Sequence, residues 1–183
     1  MLQERRMADA KIWPWLVMAF VMTATVCQLR YQGRLWWCAC GQFYPWAGDV
    51  WSSHNSQHFF DPYSFTHILH GVILCGLLTW AWPKVSPGWR LCLAVSIEAL
   101  WEVLENTDFT IHRYRMLTIA LDYQGDTIAN SLGDILSCVI GFALARRLGL
   151  WGSLGLFVGT ELLLIVWIGD SLFLDVVRLI FAH

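Results

Sequence analysis

Charge is scarce in this sequence: 14% of its 183 residues, against about 25% in an ordinary soluble domain. With 57% hydrophobic residues and a mean hydropathy of +0.50, that scarcity excludes a water-soluble globular domain. What remains is an all-α, polytopic membrane bundle in which residues 1–183 form one transmembrane domain. No basic block exceeds two residues and the formal net charge is −2, so nucleic acid is not expected as a partner. Phosphate-cradling and hydrolytic signatures are missing too: no P-loop, G-x-G-x-x-G, G-x-S-x-G or H-E-x-x-H occurs. There is no internal repeat, and no pair of broken helices of the kind that marks a secondary transporter. A cleavable signal is not expected either, because the apolar run 12–29 is too long and no small-x-small site follows it.

Tryptophan, by contrast, is abundant. Many of the twelve flank apolar runs (Trp13, Trp15, Trp80, Trp82, Trp89, Trp151), where interfacial belts place them. Hydropathy and breaker residues predict five transmembrane helices, about 12–29, 64–82, 89–106, 126–148 and 150–169. Pro14 falls in the predicted first turn of the first, and Pro83 and Pro87 end the second. A long aromatic loop covers 33–63, a second polar connection with a possible surface helix around 112–115 covers 107–125, and the tail from Ser171 is expected to lie at the interface. Arg5, Arg6, Lys11, Lys84, Arg90, Arg146 and Arg147 fall on one side, and Arg30, Arg34, Arg113, Arg115 and Arg178 on the other. That bias predicts a cytoplasmic N-terminus with both long connections outside.

Against this apolar background Glu98, Glu102 and Glu105 stand out, on one stripe of the third helix within roughly 40° of each other. A bare charge in a bilayer costs on the order of 2.5–3.5 kcal/mol or more, so something is expected to bind the stripe. In the predicted topology His67 and His70 lie in the same outer half of the membrane as these glutamates. So do Asp126, Asn130 and Asp134. Carboxylates and imidazoles at i, i+3 and i, i+4 spacing on facing helices are how bundle metal sites are built. His67, His70, Glu102, Glu105, Asp126 and Asp134 are the expected ligands, and the mixed N/O set suits Zn, Mn or Fe. Glu98 and Glu102 are the expected catalytic carboxylates. Plainer readings stand beside these: single histidines that only pack, Asp126 as a helix cap, and Asn130 and Asp134 as interhelical hydrogen-bonders.

Arg113 and Arg115 would hold a phosphate or carboxylate of a substrate if their segment folds over the pocket; otherwise they meet lipid head groups. Cys38 and Cys40 leave two readings open, a disulfide or a soft-metal site with His54 or His58. Cys27, Cys75, Cys92 and Cys138 are expected to pack in helices.

Ser56-Gln57-His58 through Asp61-Pro62-Tyr63-Ser64-Phe65-Thr66-His67-Ile68-Leu69-His70-Gly71, Trp101-Glu102-Val103-Leu104-Glu105-Asn106, Arg113-Tyr114-Arg115, and Gly125-Asp126 with Asn130-Ser131-Leu132-Gly133-Asp134 together carry a resemblance. The sequence resembles a proteobacterial inner-membrane protein family of unknown function, and is distantly similar to VanZ-like and YjdF-like membrane proteins. The resemblance implies a multi-pass bacterial inner-membrane protein and implies no activity. From the residues, two functions are expected. One is a metal-binding hydrolase or transferase acting on a lipid-linked or envelope substrate. The other is a non-catalytic accessory or assembly subunit of a larger membrane complex. Membrane lipids are the expected surroundings in both.

Overall fold

Apolar content becomes helix throughout: a computed structural model contains six helices and no strand among its described residues, 2–117 and 123–181. They are α1 (Leu2–Tyr31), α2 (Ser64–Ala81), α3 (Pro87–Glu105), α4 (Asp108–Leu117), α5 (Ile128–Ile168) and α6 (Leu172–Phe181). Side chains at 2–11, 117, 179 and 180 lie outside the description, and with them Arg5, Arg6 and Lys11; residues 118–122 and 182–183 of the predicted second connection and tail do so entirely. Three stretches are long and apolar enough to cross a bilayer: Ile12–Tyr31, Ser64–Ala81 and Ile128–Ile168.

Helix boundaries follow local chemistry, and several differ from expectation. Pro14 does not open α1 but sits inside it, since the polar residues before it are helical as well. Pro87 does not close α2; it is the first residue of α3, behind the N-cap Ser86, whose hydroxyl accepts from the Trp89 N–H at 3.4 Å. Thr127 rather than Asp126 caps α5, accepting from Asn130 N–H at 3.2 Å. Gly149, at φ 67° and ψ −171°, breaks α5 into arms 128–148 and 150–168. That backbone conformation is essentially confined to glycine.

Contacts set the helix directions. Ser64 bonds Asp134, and Gly71 meets Cys138 and Phe142, so α2 and the first arm of α5 run parallel. α3 runs against them, with Glu98 beside His67, and α1 lies parallel to α3, with Pro14 near Gly88 and Gln32 donating to Val103 O at 3.0 Å. Trp167 stacks on Trp46 at 6.0 Å and Tyr63 donates to Asp170, so the second arm returns to the end where the first began. One end of the bundle therefore gathers the loop 32–63, the end of α3, α4, the start of α5 and α6. Two apolar clusters hold the rest. Met18, Cys92, Val95, Ala99 and Ile135 join α1, α3 and α5; Val72, Cys75, Leu78, Ala94, Phe142 and Ala145 join α2, α3 and α5.

Candidate functional site

At the gathered end, a cavity of about 300 Å³ opens between α2, α3, the 55–56 and 123–126 segments and α6. α2 supplies His67 and His70 one turn apart, and α3 supplies Glu98, Glu102 and Glu105 along one stripe. Glu98 Oε1 lies 2.6 Å from His67 Nδ1 and 3.0 Å from His70 Nδ1, with Oε2 at 3.1 Å from the latter. One carboxylate thus binds both imidazoles. Glu102 Oε1 is 3.4 Å from the same His67 Nδ1, outside hydrogen-bonding geometry, and His67 Nε2 is 3.9 Å from Asp134 Oδ2. Neither Glu102 oxygen, nor Glu105 Oε2, has a hydrogen-bond partner, although all three atoms are buried. Glu102 is 0% exposed.

An unpartnered buried carboxylate is costly unless a cation meets it. Two overlapping sets can each offer three ligand atoms within 4.8 Å of one another: His67, His70 and Glu98, and His67, Glu102 and Glu105. The distances separate them. Ligands about 2.0–2.2 Å from a tetrahedral ion lie about 3.3–3.5 Å apart, which suits His67–Glu102. The 2.6 Å of His67–Glu98 is a hydrogen bond instead.

Asp126 lines the cavity but is held within the protein. Its carboxylate accepts from Asn106 Nδ2 at 2.8 Å and from the Tyr123 hydroxyl at 2.9 Å, while its N–H donates to Asn106 Oδ1 at 2.7 Å. Burial raises its pKa to about 6 against the pull of those two donors. Asp134 accepts from Ser64 Oγ at 2.7 Å, and Asn130 turns away to Asp61. Arg115 bonds Gln124 Oε1 at 2.8 Å and the Tyr123 carbonyl, tying α4 to the next segment; neither it nor Arg113 lines the cavity.

Several groups at the cavity have no sequence signal of their own. Tyr114 and Tyr123 line it, and burial lifts both hydroxyls well above the usual range. Trp101 packs edge-on to His70 at 6.1 Å. Asp175 of α6 lines the far wall, in a group with Asp170 and Arg178, whose Nη1 lies 2.5 Å from Asp170. The sequence expectation for this tail is only that it lies at the interface.

Burial, and then the Asp170 charge, push the Asp175 carboxyl up to about 8. A raised folded pKa means stability is full below the ordinary carboxylate range and falls as pH rises through about 8, by at most about 1.4 kcal/mol per pH unit. Thermal melts from pH 5 to 9 should show this decline in the wild type and a flatter profile in Asp175→Asn. Parallel profiles would refute the assignment.

No solved structure matches this chain. The chain is 39% identical to a UPF0314 protein of Paracoccus denitrificans over 98% of its own length and 93% of the relative's. It is 40% identical to one of Sphingopyxis alaskensis (91% and 88% covered) and 41% to one of Sinorhizobium fredii (92% and 86%). None of these relatives supports the distant similarity to VanZ-like or YjdF-like proteins. Residues 29–182 match the family described as "Protein of unknown function (DUF2585)", and this chain belongs to that proteobacterial family.

Proposed function

We propose that this is a multi-pass inner-membrane protein, residues 1–183 forming one domain that crosses the bilayer five times with its N-terminus in the cytoplasm. We further propose that it holds a divalent ion (Zn, Mn or Fe) at its envelope-facing end. Five helical segments of alternating direction, with the polar groups at one end, support that topology. The buried, unpartnered oxygens of Glu102 and Glu105 beside His67 carry the metal reading. His67, Glu102 and Glu105 are the primary ligands; His70, Asp134 and Asp126 line the same cavity and are the candidates for the remaining positions.

The cavity also supports an amphiphilic substrate. Its floor is carboxylate and imidazole, while Ile73, Leu74, Ile97, Leu172 and Val176 form apolar walls. Ile73 and Ile97 are 38% and 45% exposed, so this wall opens on the side of the bundle that would face lipid. A lipid-linked ester fits both halves. In its hydrolysis or transfer, Glu98 would take the proton of the attacking water or alcohol and return it to the leaving oxygen. A metal ion would supply polarisation of the reacting oxygen. Metal analysis of purified protein tests the reading: His67→Ala with Glu102→Ala should carry a full equivalent less than the wild type, and equal content rejects it.

A second reading, an accessory subunit of a membrane complex, draws on the loop's exposed aromatics: Trp36 is 49% exposed, Trp37 56% and Trp51 68%. Stoichiometric co-purifying subunits would favour it. A stable, metal-loaded lone chain would count against it.

A further inference from the structure

The loop 32–63 has no regular helix or strand, yet it is stitched at its base by Ala47 N–H to Phe60 O at 2.9 Å and Phe60 N–H to Pro45 O at 3.1 Å. It brings four metal-ligating side chains together. Cys38 Sγ lies 3.5 Å from His54 Nδ1, and His54 Nδ1 lies 3.1 Å from His58 Nε2. Cys40 completes the group, with one ligand atom from each residue within 4.8 Å of the others. The Cys40 N–H donates to Cys38 Sγ at 3.4 Å, so the chain already turns around that sulfur. Cys38 is 5% exposed and His58 3%, both held in the loop's interior.

Tetrahedral geometry accounts for these distances. With metal–sulfur bonds of about 2.3 Å and metal–nitrogen bonds of about 2.0–2.1 Å, neighbouring ligands are separated by about 3.5 Å (S to N) and about 3.3 Å (N to N). Two thiolates also balance a divalent charge without any buried excess. We infer that Cys38, Cys40, His54 and His58 form a closed, structural Zn²⁺ site, distinct from the His/carboxylate centre, that clamps this loop over the cavity. Two-sulfur, two-nitrogen tetrahedra select zinc, whereas the oxygen-rich centre below suits harder ions as well.

The clamp has a mechanical role. His54 and His58 bracket Asn55 and Ser56, which line the cavity. Ser56 is held at φ +59°, a conformation a serine rarely adopts. Its carbonyl accepts from Thr127 N–H at 3.1 Å, and Gln57 Nε2 donates to Gly125 O at 2.9 Å. A metal fixing residues 54 and 58 would therefore fix the cavity wall between them.

Cobalt substitution distinguishes the two centres, because only this one has sulfur among its proposed ligands. Purified, reduced protein reconstituted with Co²⁺ should show a near-ultraviolet sulfur-to-cobalt charge-transfer band. The band should persist in His67→Ala and vanish in Cys38→Ser/Cys40→Ser. Zn²⁺ added to the wild type should slow alkylation of the exposed Cys40 by at least tenfold, and a chelator should restore the rate; this arm needs no variant to fold. A missing band in the reduced wild type overturns the site, as does a band surviving in the double serine variant. Unchanged alkylation, or a Cys38–Cys40 disulfide that persists under reduction, does so too.

Discussion

Glu102→Met should raise the melting temperature of the metal-free protein and lower that of the metal-loaded one. Both Glu102 oxygens are buried and without hydrogen-bond partners, so the metal-free fold carries their full desolvation cost. Removing an unsatisfied buried polar group is worth about 1–3 kcal/mol, and methionine fills a similar volume. For a chain of this size that is roughly 2–12 °C. With metal the sign reverses. Saturation at about 1,000 times Kd stabilises the wild type by about 4.1 kcal/mol, and a variant lacking a ligand forgoes it. Melts in chelator and in Zn²⁺ or Mn²⁺ read both arms. A variant destabilised equally in both conditions would make Glu102 an ordinary structural residue and remove the support for a cation there.

Gly71→Ala and Gly76→Ala, five residues apart on different faces of α2, should have opposite effects. A methyl group on Gly71 would overlap the Cys138 carbonyl and the Phe142 N–H of α5, backbone atoms that cannot rotate away. Close approach of this kind drives helix association where lipid offers no hydrophobic contrast. Separating the helices should cost about 1–3 kcal/mol or more. It would also pull His67 and Asp134 apart, so metal binding should weaken alongside stability. Gly76 has nothing within 4 Å of the same position, and alanine there gains up to about 1 kcal/mol of helix propensity. Unfolding in mixed detergent micelles measures both; equal effects would show that α2 and α5 do not depend on this contact.

Element positions were legible because apolar runs and breakers are local signals. The two predicted helices ending at 148 and beginning at 150 meet at Gly149. Boundaries that depend on capping were less so: Pro87 can end one helix or start the next, and only Ser86 behind it decides. At the candidate site, the polar groups on helices were foreseeable from their cost in an apolar segment, and the structure gathers His67, His70, Glu98, Glu105 and Asp134 around one cavity, with Glu102 buried against His67. Roles within that set were not, because a 2.6 Å hydrogen bond and a 3.4 Å ligand separation look alike in sequence. The reach of Arg115 was illegible too: it depends on where the chain after α4 returns, and its partners Tyr123 and Gln124 are close in sequence but carry no pattern.

His67 Nδ1 faces Glu98 at 2.6 Å and Glu102 at 3.4 Å. That nitrogen has a single lone pair, so a hydrogen ion and a metal ion are mutually exclusive occupants of it. A metal entering there would displace that hydrogen, to Nε2 beside Asp134 or to solvent, and acid that protonates both ring nitrogens would drive the metal out. A pocket so arranged would report acidity through how full it is, before any reaction takes place.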